Sequence, residues 1–239
     1  DVDDAELDFS VTGGSSIVAS LSGGDVTFSA PANFNGSESF TASVTDGEYT
    51  DSQSITVTVN AVNDAPTANA ATGATDEDQS TVIALSGDDI DGDNLTFILT
   101  ADAVNGSVTL DGSLATYTPS ADFNGNDSFT FSVTDGQYSS TADVTVSVAA
   151  VNDAPVLASV ADVFFDEDGS GSVSVSGSDV DGDQLTFSIT GGTDITASLS
   201  GTDVTFGAPE NYNGSEDFTV SVTDGEYTDS QSITVTVNA

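Results

Sequence analysis

Apolar and polar residues alternate in short runs along the whole chain. Leu185, Phe187 and Ile189 take every second position, as do Phe218, Val220 and Val222, and then Ile233, Val235 and Val237. A period of two, carried by β-branched and aromatic residues, predicts half-buried strands. Clusters of Gly, Asn and Asp separate the runs and predict turns. No stretch joins helix caps to a 3.6-residue period. About seven short strands per block of roughly 90 residues predict an all-β fold of two-sheet, Greek-key sandwiches of immunoglobulin type.

The blocks repeat. Val62-Asn63-Asp64-Ala65-Pro66 returns as Val151-Asn152-Asp153-Ala154-Pro155, and Asp89-Ile90-Asp91-Gly92-Asp93 as Asp179-Val180-Asp181-Gly182-Asp183. Val44-Thr45-Asp46-Gly47 matches Val133-Thr134-Asp135-Gly136 and Val222-Thr223-Asp224-Gly225. Ser43 through Ala61 equals Ser221 through Ala239 residue for residue, so alternate repeats are closer to each other than neighbours are. The expected domains are a partial repeat over 1–61, which lacks the first two strands of the others, and full repeats over 62–150 and 151–239. The cut through the first repeat suggests a window from a longer array whose parent chain continues upstream; the alternative is that a neighbouring chain fills the gap.

Composition sharpens this picture. The chain has 239 residues, 40 of them acidic, with no Lys, Arg or His and a formal net charge of -40. Nucleic acid is excluded as a partner because the chain has no cationic side chain to meet a phosphate. Anionic membrane surfaces are excluded for the same reason, and no apolar run is long enough for membrane insertion. Cysteine is absent, so neither disulfides nor thiol chemistry is available. Such a charge opposes compaction unless something neutralises it.

Chain order places the acids. Strand A runs down from the linker and strand B returns, so the B–C and F–G loops lie beside the incoming linker. The A–B turn and E–F corner lie at the opposite end. In the second repeat the linker end holds Asn63, Asp64, Asp89, Asp91, Asp93 and Asp135. In the third it holds Asn152, Asp153, Asp179, Asp181, Asp183 and Asp224. In the first repeat it holds Asp46, with Asp1 and Asp3 as a weaker site. The far end of the second repeat adds Glu77, Asp78 and Asp127 to the seam with the third. So many carboxylates in one small volume would raise each other's pKa, and no basic residue relieves them. A hard cation with six to eight oxygen ligands would, which points to Ca2+ rather than zinc. Neither an EF-hand nor a glycine-rich nonapeptide is present: counted from Asp89 or Asp179, position 12 is Thr100 or Thr190.

These motifs resemble the cadherin-like, or bacterial immunoglobulin-like, tandem repeats of large secreted adhesins. The ordered set is Asn-Asp-Ala-Pro at the linker, the pairs Glu77-Asp78 and Glu167-Asp168, Asp-x-Asp-Gly-Asp, Phe-Asn-Gly and Val-Thr-Asp-Gly. The resemblance implies an extracellular, secreted or cell-surface protein with calcium at its domain junctions. It matches Asn152 and Asp153 to linker ligands, Asp179 and Asp181 to the Asp-x-Asp pair, and Glu77 and Glu167 to the early glutamate. It places Glu38, Asp127 and Glu216 near the acidic ligands of the E–F region.

The function expected is a calcium-rigidified structural repeat, a stalk or fibre segment of a large adhesin or surface filament. Its partners would be calcium, neighbouring repeats of the same chain and, in a fibre, copies of itself. The alternative is an adhesion module for carbohydrate or protein, with Tyr49, Tyr138 and Tyr227 past the F–G turns as aromatic contacts. No enzyme is expected: paired carboxylates serve glycoside hydrolysis, but here the acids recur in every repeat without a pocket-forming insertion.

Overall fold

The computed structural model describes residues 6–239. Every regular element among them is a strand. Residues 6–61 form β1 (Asp8–Gly13), β2 (Val18–Ser22), β3 (Asp25–Ser29), β4 (Gly36–Thr45) and β5 (Thr50–Val59). The second repeat forms β6 (Thr67–Asn69), β7 (Ala71–Asp76), β8 (Thr81–Ala84), β9 (Ser86–Asp88) and β10 (Thr96–Ala101). It continues with β11 (Gly106–Asp111), β12 (Leu114–Pro119), β13 (Gly125–Thr134) and β14 (Ser139–Ala149). The third forms β15 (Val156–Leu157), β16 (Val163–Asp166), β17 (Ser170–Ser174), β18 (Gly177–Ser178) and β19 (Thr186–Gly191). Its last strands are β20 (Thr196–Ser200), β21 (Asp203–Gly207), β22 (Gly214–Thr223) and β23 (Thr228–Asn238).

The third repeat shows how the sandwich closes. One sheet runs β16-β23-β22-β19 and the other β17-β21-β20. The first strand position is split. β15 pairs antiparallel with β18, and β16 then crosses to lie parallel to β23, Val163 opposite Val235 and Phe165 opposite Val237. The seven positions read from the sequence therefore appear as nine segments, because strands A and B each break in two. The inward residues of both sheets make one core, including Phe165, Val204, Phe206, Phe218, Val220 and Val235. Phe206 and Phe218 meet edge to face at 5.2 Å, and Phe28 and Phe40 repeat that contact at 4.9 Å in the first repeat.

Close packing between strands A and B is set by small residues facing large ones. A Cβ at Gly171 would stand 2.6 Å from Val163 Cγ1 and 2.8 Å from Phe165 Cδ1. In the second repeat the sizes are exchanged: a Cβ at Gly73 would meet Ile83 Cδ1 at 2.4 Å. Residues 6–61 have only the sheets β1-β4-β5 and β2-β3.

By packing, the chain divides into two compact units. One takes in residues up to Thr75, 79–120 and 126–147. The other takes in 76–78, 121–125 and 148–239.

Candidate functional site

The second unit contains a cluster of carboxylates. Asp76–Asp78 end strand A of the second repeat, and residues 121–125 form its E–F corner; both pack with residues 148–239. Asp78 and Asp122 hold left-handed backbones, at φ 58 and 57. Aspartate tolerates this region better than most residues. The Asp122 N–H donates to Asp78 Oδ1 at 3.2 Å, tying corner to turn. Glu77 is almost fully buried. Its Oε1 accepts the Val151 N–H at 2.6 Å, and its own N–H donates to the Ala149 carbonyl at 2.9 Å.

From the third repeat come the linker and the B–C loop. The Asp153 N–H donates to Asp181 Oδ2 at 2.8 Å. Asp179 Oδ1 accepts from the N–H groups of Asp181 and Asp183, which curls the loop around it. Carboxylate oxygens of Glu77, Asp153 and Asp181 lie within 4.8 Å of one another, and so do those of Asp78, Asp122 and Asp153. The Oδ2 atoms of Asp153 and Asp179 are buried without a hydrogen-bond partner. Burial, then the charges of Asp122, Asp181, Asp78 and Glu77, push the Asp153 carboxyl above the ordinary aspartate range. Buried polar atoms are normally paired, and the chain has no basic side chain to pair with these. An all-oxygen set of hard ligands fits calcium.

The first unit repeats part of this arrangement. The Asp64 N–H donates to Asp91 Oδ2 at 2.7 Å, Asp89 Oδ1 accepts from Asp91 and Asp93, and Asp89 Oδ2 is buried and unpartnered. The counterpart of Asp122 there is Asn33, at φ 60. A cavity of about 230 Å³ lies between Asn33, Asn35, Asp64 and Asp91.

Other expected ligands are placed differently. Asp127 does not join the cluster. It is buried inside its own sandwich, where Oδ1 accepts from Val104 and Ser128 N–H and Oδ2 from Asn105 N–H and the Tyr117 hydroxyl. Four donors fill its lone pairs, so it clamps the loop between β10 and β11. Glu38 does the same with Ser15, Ser16 and Ile17, and Glu216 with Thr193, Asp194 and Ile195. The bonds from Ser15, then Ile17 and Ser16, pull Glu38 down to about 2 against a small opposing effect of burial. Bonds from Thr193 and Asp194 likewise hold Glu216 low.

Asp46, Asp135 and Asp224 close the F–G turns, each Oδ1 accepting two successive N–H groups. Asn63 and Asn152 donate to Asp135 Oδ2 and Asp224 Oδ2 at 2.8 and 2.9 Å, which latches the linker to that turn. The bond from Tyr138, then that from Asn63, lowers Asp135. For Asp224, burial acts upward, but the bonds from Asn152, Glu226 and Tyr227 outweigh it and the carboxyl stays low. Asp93 and Asp183 serve through their N–H groups and expose their side chains. Glu167 donates its N–H to the Asn238 carbonyl and joins no group of acids among the described residues. Asp1 and Asp3 lie outside the described residues. Asp122 is the ligand candidate that sequence reasoning missed: its counterparts Asn33 and Asn211 are not acids, so no motif marked it.

Fold and site together define tandem immunoglobulin-like sandwiches of cadherin-like build. The chain belongs to the bacterial Ig domain family, which matches residues 63–147 and 152–236 in two successive copies. Among solved structures it is similar to protocadherin gamma B7 extracellular cadherin domains 1-4, with 16% identity, TM-score 0.54, and 97% of this chain and 66% of that one covered. It is similar also to PcdhgB3 EC1-4, with 13% identity, TM-score 0.59, and coverage of 98% and 67%. The chain spans 39% of the length of an endo-fucoidan hydrolase from glycoside hydrolase family 107, at 21% identity, 99% coverage of this chain and TM-score 0.34. A search of curated proteins finds no match. No helix among the described residues is long and apolar enough to cross a membrane.

Proposed function

We propose that this chain is a calcium-stiffened structural segment of an extracellular surface protein, a stalk or fibre of an adhesin. The observation that carries this reading is Asp153. Its Oδ2 is buried and unpaired, four further carboxylates surround it, and the whole chain has no basic side chain to neutralise them. Glu77, Asp78, Asp122, Asp153 and Asp181 would hold the ion, with Asp179 Oδ2 behind them. Calcium would supply charge neutralisation and no reaction. The chain's own residues build the cradle. The Asp179 carboxylate curls the B–C loop, Asp181 holds the linker N–H, and the left-handed Asp78 and Asp122 turn their loops toward it.

Ligands drawn from the ends of successive repeats would hold those repeats together only when the ion is bound. Extracellular modules bind calcium at roughly 10⁻⁴–10⁻³ M, so calcium at about millimolar level suffices. Calorimetric titration of the chain with calcium chloride tests this. Heat should saturate in the millimolar range or below, and Asp153→Asn should weaken the strongest site at least tenfold. Equal heats for both proteins would refute the assignment.

A further inference from the structure

The E–F corner makes the same turn in each repeat but does not carry the same residue. Asp122 holds φ 57 there, and Asn33 and Asn211 hold φ 60 and 59. The Asp122 N–H donates to Asp78 Oδ1 at 3.2 Å, and the Asn211 N–H donates to Asp168 Oδ1 at 3.1 Å. The bond that ties the corner thus uses the backbone of this position and not its side chain. Asparagine tolerates the left-handed region as aspartate does, so the turn alone gives no reason for an acid at 122.

The carboxylate changes the site instead. An Asp122 oxygen lies within 4.8 Å of those of Asp78 and Asp153. After burial, its charge is foremost among those acting on Asp153, whose Oδ2 is buried and unpaired. In the first unit Asn33 takes this place. It lines the cavity of about 230 Å³ with Asp64 and Asp91, the counterparts of Asp153 and Asp181, and Asp89 Oδ2 is buried there without a partner. An amide oxygen can ligate calcium as well, but it brings no charge, and calcium affinity follows the charge count of the ligands.

We infer that the E–F corner residue sets the calcium affinity of each site: Asp122 lets the second unit's site fill at lower calcium, and Asn33 holds the first unit's site to higher calcium. The chain then takes up calcium in two steps. This rests on the calcium reading above and adds to it a graded response, governed by one position.

Backbone-amide NMR of the full chain, titrated with calcium chloride, reads the sites separately, one through Asp153 and Asp181 and the other through Asp64 and Asp91. The first pair should move at lower calcium. Reciprocal substitution then isolates the corner from every other difference between the sites. Asp122→Asn should raise the midpoint of Asp153 and Asp181 roughly tenfold, and Asn33→Asp should lower that of Asp64 and Asp91 roughly tenfold, each leaving the other site unchanged. In EDTA, Asp122→Asn should melt no lower than the native chain, because it keeps the turn and removes one of several like charges. Midpoints indifferent to both substitutions would overturn the inference and leave the calcium reading standing. A loss with Asp122→Asn unmatched by a gain with Asn33→Asp would also overturn it, since the aspartate would then only support its own loop. No shift at either site in millimolar calcium would overturn the calcium reading and this inference with it.

Discussion

At the residue scale, one position does two jobs across the repeats. Glu38 and Glu216 reach the N–H groups of the loop after strand C, and the same repeats carry the half-buried Phe28 and the buried Phe206. The second repeat uses the shorter Asp127 and replaces the phenylalanine by Tyr117, whose hydroxyl donates to Asp127 Oδ2 at 3.1 Å. Burial first, then the bond to Asp127 and its charge, push the Tyr117 hydroxyl up to about 12. A folded pKa raised above the unfolded value of about 10 stabilises the fold fully below pH 10, and that contribution is lost as pH rises toward 12. Unfolding curves at pH 9 and pH 11.5 should therefore show a larger loss for the native chain than for Tyr117→Phe. That variant should itself cost about 1.5–3 kcal/mol at neutral pH. Glu38 runs the other way. Its depressed pKa gives stability that is present above about 4.5 and lost as pH falls through about 2. Carboxyl NMR should place its midpoint near 2; a midpoint near 4.5 would mean the loop clamp is not formed.

At the element scale, the period-two runs were enough to locate strands, because each strand buries alternate residues on one face. The pairing of β16 parallel to β23 was not legible, since nothing in Val163–Asp166 separates it from an antiparallel edge. The size exchange between strands A and B was equally hidden, because Gly171 reads as a weak strand residue until Phe165 is seen above it. Gly171→Ala should destabilise the third repeat by about 1–3 kcal/mol through overpacking, measured by urea unfolding. A neutral result would show that Val163 and Phe165 can shift aside. Within the cluster, loop order alone grouped Glu77, Asp153 and Asp181. It misplaced Asp127, because an acid two residues before a strand's buried phenylalanine shares its inward face and stays there when backbone donors await it. It missed Asp122, because the left-handed corner accepts Asn or Asp alike and the sequence shows mostly Asn there.

At the scale of the whole molecule, a charge of -40 without one basic side chain makes stability depend on the solution around it. Monovalent salt screens over a distance of about 8–10 Å at ordinary ionic strength. It should raise the melting temperature of the chelated protein gradually. Calcium bound at the proposed site would add roughly 2.7 kcal/mol at about one hundred times its dissociation constant. For a domain of roughly 90 residues that is a rise of about 10 °C or more. Differential scanning calorimetry with millimolar calcium, against sodium chloride of equal ionic strength, separates site binding from screening. Equal shifts would reduce the cluster to a diffuse acidic surface.

The most direct measurement is an anomalous-difference map from crystals of the chain grown with several millimolar calcium. A peak bounded by oxygens of Glu77, Asp153 and Asp181, or of Asp78, Asp122 and Asp153, is the expected result. A well-ordered cradle with its carboxylates splayed into solvent and no peak between them would contradict the account.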